Sequence, residues 1–238
     1  ACNDKFSGYN YYYHPGFDPM AILRAFWQNL RNEGEVVSGA STITQQLARN
    51  LLFTQEERYQ RSYLRKVREA IAAAEITRRY TKDEILELYL NEIYYGNLAY
   101  GVEAASETYF NKSAEQLTVG EAAFLAGLPQ SPAVYDIYTN PETTLTRQQQ
   151  VLVLMFVVSM EQKCIEVSNS PSPVCVDATV AADAARQMRE YPFRQQTFDA
   201  RYPHWVNFVR TQLEAQFDAQ TIYRSGFTVY TTLDPTLQ

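Results

Sequence analysis

The chain has 238 residues, enough for a sizeable core, and holds one large domain or one domain plus a fragment. With 21 basic and 27 acidic side chains its net charge is −6, which argues against a general nucleic-acid binder. Two histidines and three cysteines leave no plausible zinc cluster. No apolar run approaches the roughly 18 residues that span a bilayer, and the N-terminus carries no signal-peptide pattern.

In chain order, Asp18 and Pro19 cap and open a helix whose apolar face is Ile22, Leu23, Phe26, Trp27 and Leu30. NEGEVVSGAS is a break, and Thr42 with Gln45 forms a capping box for the next helix. The hydroxyls and amides around that cap (Ser41, Thr42, Gln45, Gln46) read as an ordinary cap or as an anion site at a helix N-terminus. From Gln60 to Tyr80 a basic helix follows, in which Leu64, Val67, Ile71 and Ala74 recur at helical spacing and predict the buried stripe. It carries Arg61, Arg65, Lys66, Arg68, Arg78 and Arg79, and Glu69 shares a face with Arg65 (i+4) and Lys66 (i+3). On a solvated helix such a group is a weak ion pair of about 0.5 kcal/mol. The cations predict that Glu69 stays ionised, which suits charge stabilisation better than acid catalysis.

Thr81 with Glu84 opens a helix expected to run to Gly96, with Ile85, Leu88 and Tyr89 as core stripe and Glu87 and Asn91 together on one face. Ser113 with Gln116 and Thr118 with Glu121 give two more capping signals, the second before AAFLAGL, which Gly127 and Pro129 stop. Helix resumes through Val151–Met160. Cys164 and Cys175 flank a polar Ser/Pro loop; they read equally as a small disulfide, suiting an oxidising compartment, or as two unpaired thiols. Residues 177–220 read as amphipathic helix. In SGFTVYTTLDPTLQ the period changes to strand, with Phe227, Val229 and Thr231 alternating against Thr228, Tyr230 and Thr232.

S-T-I-T-Q-Q, R-K-x-x-E and K-x-x-I-L-E-x-Y-L-N-x-x-x-x-G, in that order within sixty residues, closely resemble successive motifs of the peptidoglycan glycosyltransferases. The stretch YGVEAASETYFNKSAEQLTVGEAAFLAGLPQSPAVYDIYTNPE resembles the same family, and the likeness covers about Tyr12 to Leu152. The resemblance implies a mainly α, lysozyme-like fold with a larger head lobe and a smaller membrane-facing jaw lobe. It implies polymerisation of lipid II, with the growing glycan strand as donor and undecaprenyl diphosphate leaving, by an inverting transfer. Glu69 takes the place of the family's second catalytic glutamate. Ser41, Thr42, Gln45, Gln46, Arg65 and Lys66 take the donor-diphosphate site, and His14, Lys82, Glu87, Asn91 and Arg147 supporting positions. A divalent cation (Mg²⁺ or Mn²⁺) on Glu69 is the one cofactor so implied; no organic cofactor is. R-Q-Q-Q-V-L resembles the fifth motif with Gln148 in place of its second arginine.

The family's first motif, E-D-x-x-F before H-x-G, is met only in its second half, His14-Pro15-Gly16, with Tyr11 at the aromatic position. The general-base glutamate falls on Ser7 and the aspartate on Gly8, and Asn3-Asp4-Lys5-Phe6 is a weak shifted echo. Missing residues, changed residues or a chain that is not an enzyme would each account for this; the short lead-in before His14 favours the first. Residues 1–160 are expected to form the glycosyltransferase domain, and 161–238 a helical extension and a short β linker. That linker resembles the start of the transpeptidase module of class A penicillin-binding proteins, but no serine motif such as S-x-x-K stands at a suitable place. The expected setting is the extracytoplasmic face of the bacterial inner (cytoplasmic) membrane, with the N-terminal anchor absent from this chain and the membrane surface as a partner. Two other functions compete: a lysozyme-like lytic enzyme, which needs a protonated acid in an apolar pocket, and a non-catalytic cell-wall scaffold.

Overall fold

A computed structural model describes residues 11–12, 14–20, 27, 41–54, 57, 63–165, 172–194, 202–217, 221–222 and 228–232. The first-motif positions Ser7 and Gly8, most of the expected helix after Pro19, the break before Ser41, and Arg61 lie outside the described residues. The main helices are α1 (Ile43–Leu52), α2 (Tyr63–Arg79), α3 (Lys82–Glu92), α4 (Val102–Phe110), α5 (Val119–Gly127), α6 (Pro141–Gln162), α7 (Ala178–Glu190) and α8 (Pro203–Gln216).

Local chemistry sets where many of these helices begin. Thr42, Thr81 and Thr118 each accept a hydrogen bond from the backbone three residues on, and Gln45, Glu84 and Glu121 reciprocate, so α1, α3 and α5 all start on complete capping boxes. Asp177 caps α7 by accepting from the backbone of Thr179 and Val180. Pro141 occupies the first turn of α6, where its missing N–H costs nothing. The signal at Ser113 gives only a 3₁₀ turn, Ala114–Gln116, with no side-chain cap bond.

Two apolar clusters hold these elements together. In one, Ala123, Leu152 and Ala184 join α5, α6 and α7. Gly120 permits this approach, since a Cβ there would lie 3.0 Å from the Ala184 carbonyl oxygen. The larger cluster runs from Tyr11 and Leu47 through Ile85, Tyr89 and Tyr95 to Tyr109, Phe110, Phe124, Leu128 and Met188. Phe110, Phe124, Tyr191 and Phe193 meet there with ring centroids 4.8–6.0 Å apart. Such aromatic pairs contribute about 0.5–1.5 kcal/mol each beyond their burial. From beyond residue 160, Met188 is buried in this cluster and Phe193 packs against it.

Several expectations are corrected. Leu64, Val67 and Ile71 of α2 are 70%, 54% and 65% exposed, while Glu69 and Ala73 on the other side are fully buried. The apolar stripe of α2 therefore faces outward and its polar face packs inward against α1. Leu88 is likewise exposed, whereas Ile85 and Tyr89 are buried. α3 stops at Glu92, not Gly96: Ile93 turns extended, and Tyr94 bridges to Tyr100 around a turn with positive φ at Gly96, Asn97 and Leu98. Residues 228–232 carry no strand; the described residues hold only two isolated β-bridges, one of them Ile165 with Val174. Next to it Cys164 and Cys175 are joined as a disulfide.

Candidate active site

The charged cluster assembles where the N-terminus of α1 meets the inward face of α2. Helical spacing alone puts Arg65, Lys66 and Glu69 together. Tertiary packing buries the carboxylate, because Leu47 and Ala48 of α1 and Ala73 of α2 are fully buried around that contact. Glu69, 0% exposed, accepts from Arg65 Nη1 at 2.9 Å through Oε2 and from Lys66 Nζ at 2.9 Å through Oε1. Lys66 Nζ also donates to Ser41 Oγ at 2.7 Å. Arg65 is largely buried, but the Lys66 side chain is 43% exposed. An ammonium has three N–H donors. Two of those on Lys66 are spent inside the cluster, and among the described residues the third meets no acceptor.

Of the four cap residues, only Ser41 touches these charges. The Thr42 hydroxyl donates to Gly16 O (2.6 Å) and accepts from Gln45 N (3.2 Å). Gln45 turns its Oε1 back on Thr42 N, and Gln46 lies between Ser41 O and the Tyr89 hydroxyl. Both glutamines are buried. Thr42, Gln45 and Gln46 thus build the turn that carries Ser41, with the Thr42 hydroxyl, the Gln45 Oε1 and the Gln46 amide bonded within the protein.

His14 and Lys82 meet beside this turn. Lys82 Nζ donates to His14 O at 2.8 Å, and Gly16 N donates to His14 Nδ1 at 3.1 Å. Burial, then the neighbouring Lys82 charge, holds His14 below its ordinary pKa of 6.5, against a smaller opposite pull from Asp18. Burial also lowers Lys82 and raises the Tyr11 phenol.

The remaining expected positions lie apart from the cluster's contacts. Glu87 and Asn91 are exposed and make no side-chain hydrogen bond among the described residues. Arg147, buried on α6, donates to Gln150, lies over the Tyr135 ring, and lines a cleft of about 280 Å³ with Glu142, Thr143 and Thr146. Nor is the basic run one patch: Arg68 pairs with Glu57, and Arg78 and Arg79 both pair with Glu75, whose carboxyl those two hydrogen-bonded guanidinium groups pull down to about 2.

Among the described residues the donor set does not fit a resident Mg²⁺ or Mn²⁺: Glu69 is the cluster's one carboxylate there, with each oxygen on a cationic side chain, whereas hard divalent cations take several oxygen ligands. No group of three His, Cys, Asp or Glu side chains able to hold a metal occurs among the described residues. Sequence patterns missed the links Thr42–Gly16, Lys82–His14 and Tyr89–Gln46, which span 26, 68 and 43 positions and leave no local signal.

The sequence model of the family described as Transglycosylase matches residues 8–156, more than half of the chain and all of the cluster. The chain belongs to the transglycosylase family. Among curated relatives of this transglycosylase, Penicillin-binding protein 1A of Aquifex aeolicus is 37% identical over 225 residues, covering 94% of this chain and 28% of that protein. Penicillin-binding protein 1A of Vibrio cholerae is 37% identical over 229 residues, covering 96% and 25%. A crystal structure of Penicillin-binding protein 1A from Haemophilus influenzae matches with 29% identity and a TM-score of 0.41, over 59% of this chain and 18% of that one. The chain thus spans about a quarter of the length of these curated relatives.

Proposed function

We propose that this transglycosylase domain is a peptidoglycan glycosyltransferase that polymerises lipid II. In the transfer, the 4-hydroxyl oxygen of the acceptor sugar attacks the anomeric carbon of the growing strand. The bond from that carbon to the diphosphate breaks with inversion, and undecaprenyl diphosphate leaves with the electron pair. The hydroxyl proton goes to a general base; the position that the resemblance gives it holds Ser7, outside the described residues, whose hydroxyl cannot take that proton at neutral pH, so the base is another group. The observation that carries the proposal is the buried Glu69 carboxylate holding Arg65 and Lys66 together, with one Lys66 N–H that meets no acceptor among the described residues, at the exposed edge.

Negative charge builds on the departing diphosphate, and fixed cations stabilise it without reorganising at the moment of reaction. Glu69 fixes the two cations, and Ser41 fixes Lys66 from the other side. A lytic enzyme would need Glu69 protonated in an apolar pocket; ion pairs to Arg65 and Lys66 are the opposite environment.

The fold is then the lysozyme-like one, with a larger head lobe and a smaller jaw lobe toward the membrane. Support for a membrane-facing side comes from Leu64, Val67 and Ile71, an apolar stripe left outward on the helix that carries Glu69. No helix among the described residues is long and apolar enough to cross a membrane. An extracytoplasmic setting is supported by the Cys164–Cys175 disulfide, which persists where thiols are oxidised. A transpeptidase domain in a longer chain is in keeping with relatives about four times this length.

Incubation of the full-length protein with labelled lipid II tests the proposal. Polymerised glycan is expected. Cleavage of added sacculi without polymer would establish the lytic function instead, and neither product would leave a scaffold.

A further inference from the structure

Lys82 stands in the first turn of α3, where a cation opposes the helix dipole. Asp83 and Glu84 beside it suit that end of the helix; Lys82 does not. Its contacts lie elsewhere. The ammonium donates to His14 O at 2.8 Å and sits 4.9 Å from the centre of the Tyr11 ring, and the Tyr11 hydroxyl returns a bond to Lys82 O at 2.8 Å. Tyr11 is itself buried in the main core.

The turn that Lys82 grips has no slack. Gly16 has φ +97°, and a Cβ there would fall 2.4 Å from the Ala73 carbonyl oxygen of α2, so the backbone rests directly on the helix that carries Glu69. On its other side, Gly16 O accepts the Thr42 hydroxyl at 2.6 Å. The next residue back from Thr42 is Ser41, whose Oγ accepts from Lys66 Nζ at 2.7 Å. A short path of bonds therefore runs from Lys82 through His14, Gly16, Thr42 and Ser41 to Lys66 and Glu69.

We propose that Lys82 is a positioning residue for the charged cluster: by holding the His14–Gly16 turn, it sets where Thr42 and Ser41 stand against Lys66 and Glu69. Lys82 touches no reacting atom; it acts through the turn. The inference rests on the cluster being the site that stabilises the leaving diphosphate.

The test is steady-state polymerisation of labelled lipid II by the full-length protein carrying Lys82→Met, Lys82→Arg or, as a control at the same junction, Tyr12→Phe, which removes only an exposed bond to Asp83. Misplacing a site from a distance costs up to about a hundredfold in rate. For Lys82→Met, kcat is expected to fall about tenfold to a hundredfold with KM little changed. Lys82→Arg should restore most of the rate, Tyr12→Phe should match wild type, and amide exchange over residues 14–16 should quicken in Lys82→Met alone.

Wild-type kcat in Lys82→Met, with or without a lower Tm, would assign Lys82 to the fold only and overturn the inference. So would equal losses of rate in Lys82→Met and Tyr12→Phe. If the wild-type protein itself makes no polymer, the functional assignment beneath the inference fails instead.

Discussion

Replacing Leu64, Val67 and Ile71 together by glutamine separates two accounts of α2. Glutamine is as good a helix former as these residues, so the helix itself should persist. If the stripe were core, as its periodicity predicts, each loss would cost about 2–5 kcal/mol and the triple variant would not fold. With the three side chains 70%, 54% and 65% exposed, the cost should instead stay within about 0.5 kcal/mol each. Membrane binding should respond very differently. Full burial of such a side chain stabilises by about 1.5–3 kcal/mol, and somewhat over half of that surface remains to be covered, so each contributes about 1–2 kcal/mol on entering lipid. The three together give about 4 kcal/mol, or about a thousandfold in affinity. Flotation with phosphatidylglycerol vesicles measures that loss while thermal denaturation checks the fold. A folded triple variant that floats like wild type would refute a lipid contact by α2. An unfolded one would show that the stripe is buried.

Two further predictions concern the turn beside the site. Thr42→Val removes both the α1 cap and the bond to Gly16 O, for about 2 kcal/mol, whereas Thr42→Ser keeps both; denaturant unfolding of the pair should show the difference. Neutral His14 accepts the Gly16 N–H, and its pKa is held below 6.5, so the unfolded chain binds the proton more readily than the native one. That contribution to stability is complete above pH 6.5 and declines as pH falls through the window below it. Thermal scans from pH 7.5 down to 5 should therefore show a steeper fall in Tm for wild type than for His14→Gln; parallel falls would contradict the assignment.

What the sequence made legible was local. Capping boxes at Thr42, Thr81 and Thr118 depend on a three-residue spacing and appear in place. The grouping of Glu69 with Arg65 and Lys66 follows from helical geometry and is likewise found. The burial of Glu69 was not legible, because periodicity identifies an apolar face without saying whether protein or another medium covers it. On α2 the carboxylate side packs inward, since Ala73 on that side allows close approach to the Gly16 backbone. Cap chemistry could not separate Ser41 from Thr42, Gln45 and Gln46, as all four carry hydrogen-bonding groups; only the fold shows which faces Lys66. The grip of Lys82 on His14 joins residues 68 apart and leaves no local pattern in the sequence.

The most direct measurement is the rate of lipid II polymerisation by the full-length protein carrying Glu69→Gln, which keeps the size of the side chain and removes its charge. Loss of a group that fixes two leaving-group cations should lower kcat by about a hundredfold to a thousandfold. A variant that folds and links sugars at the wild-type rate would contradict the role given to Glu69.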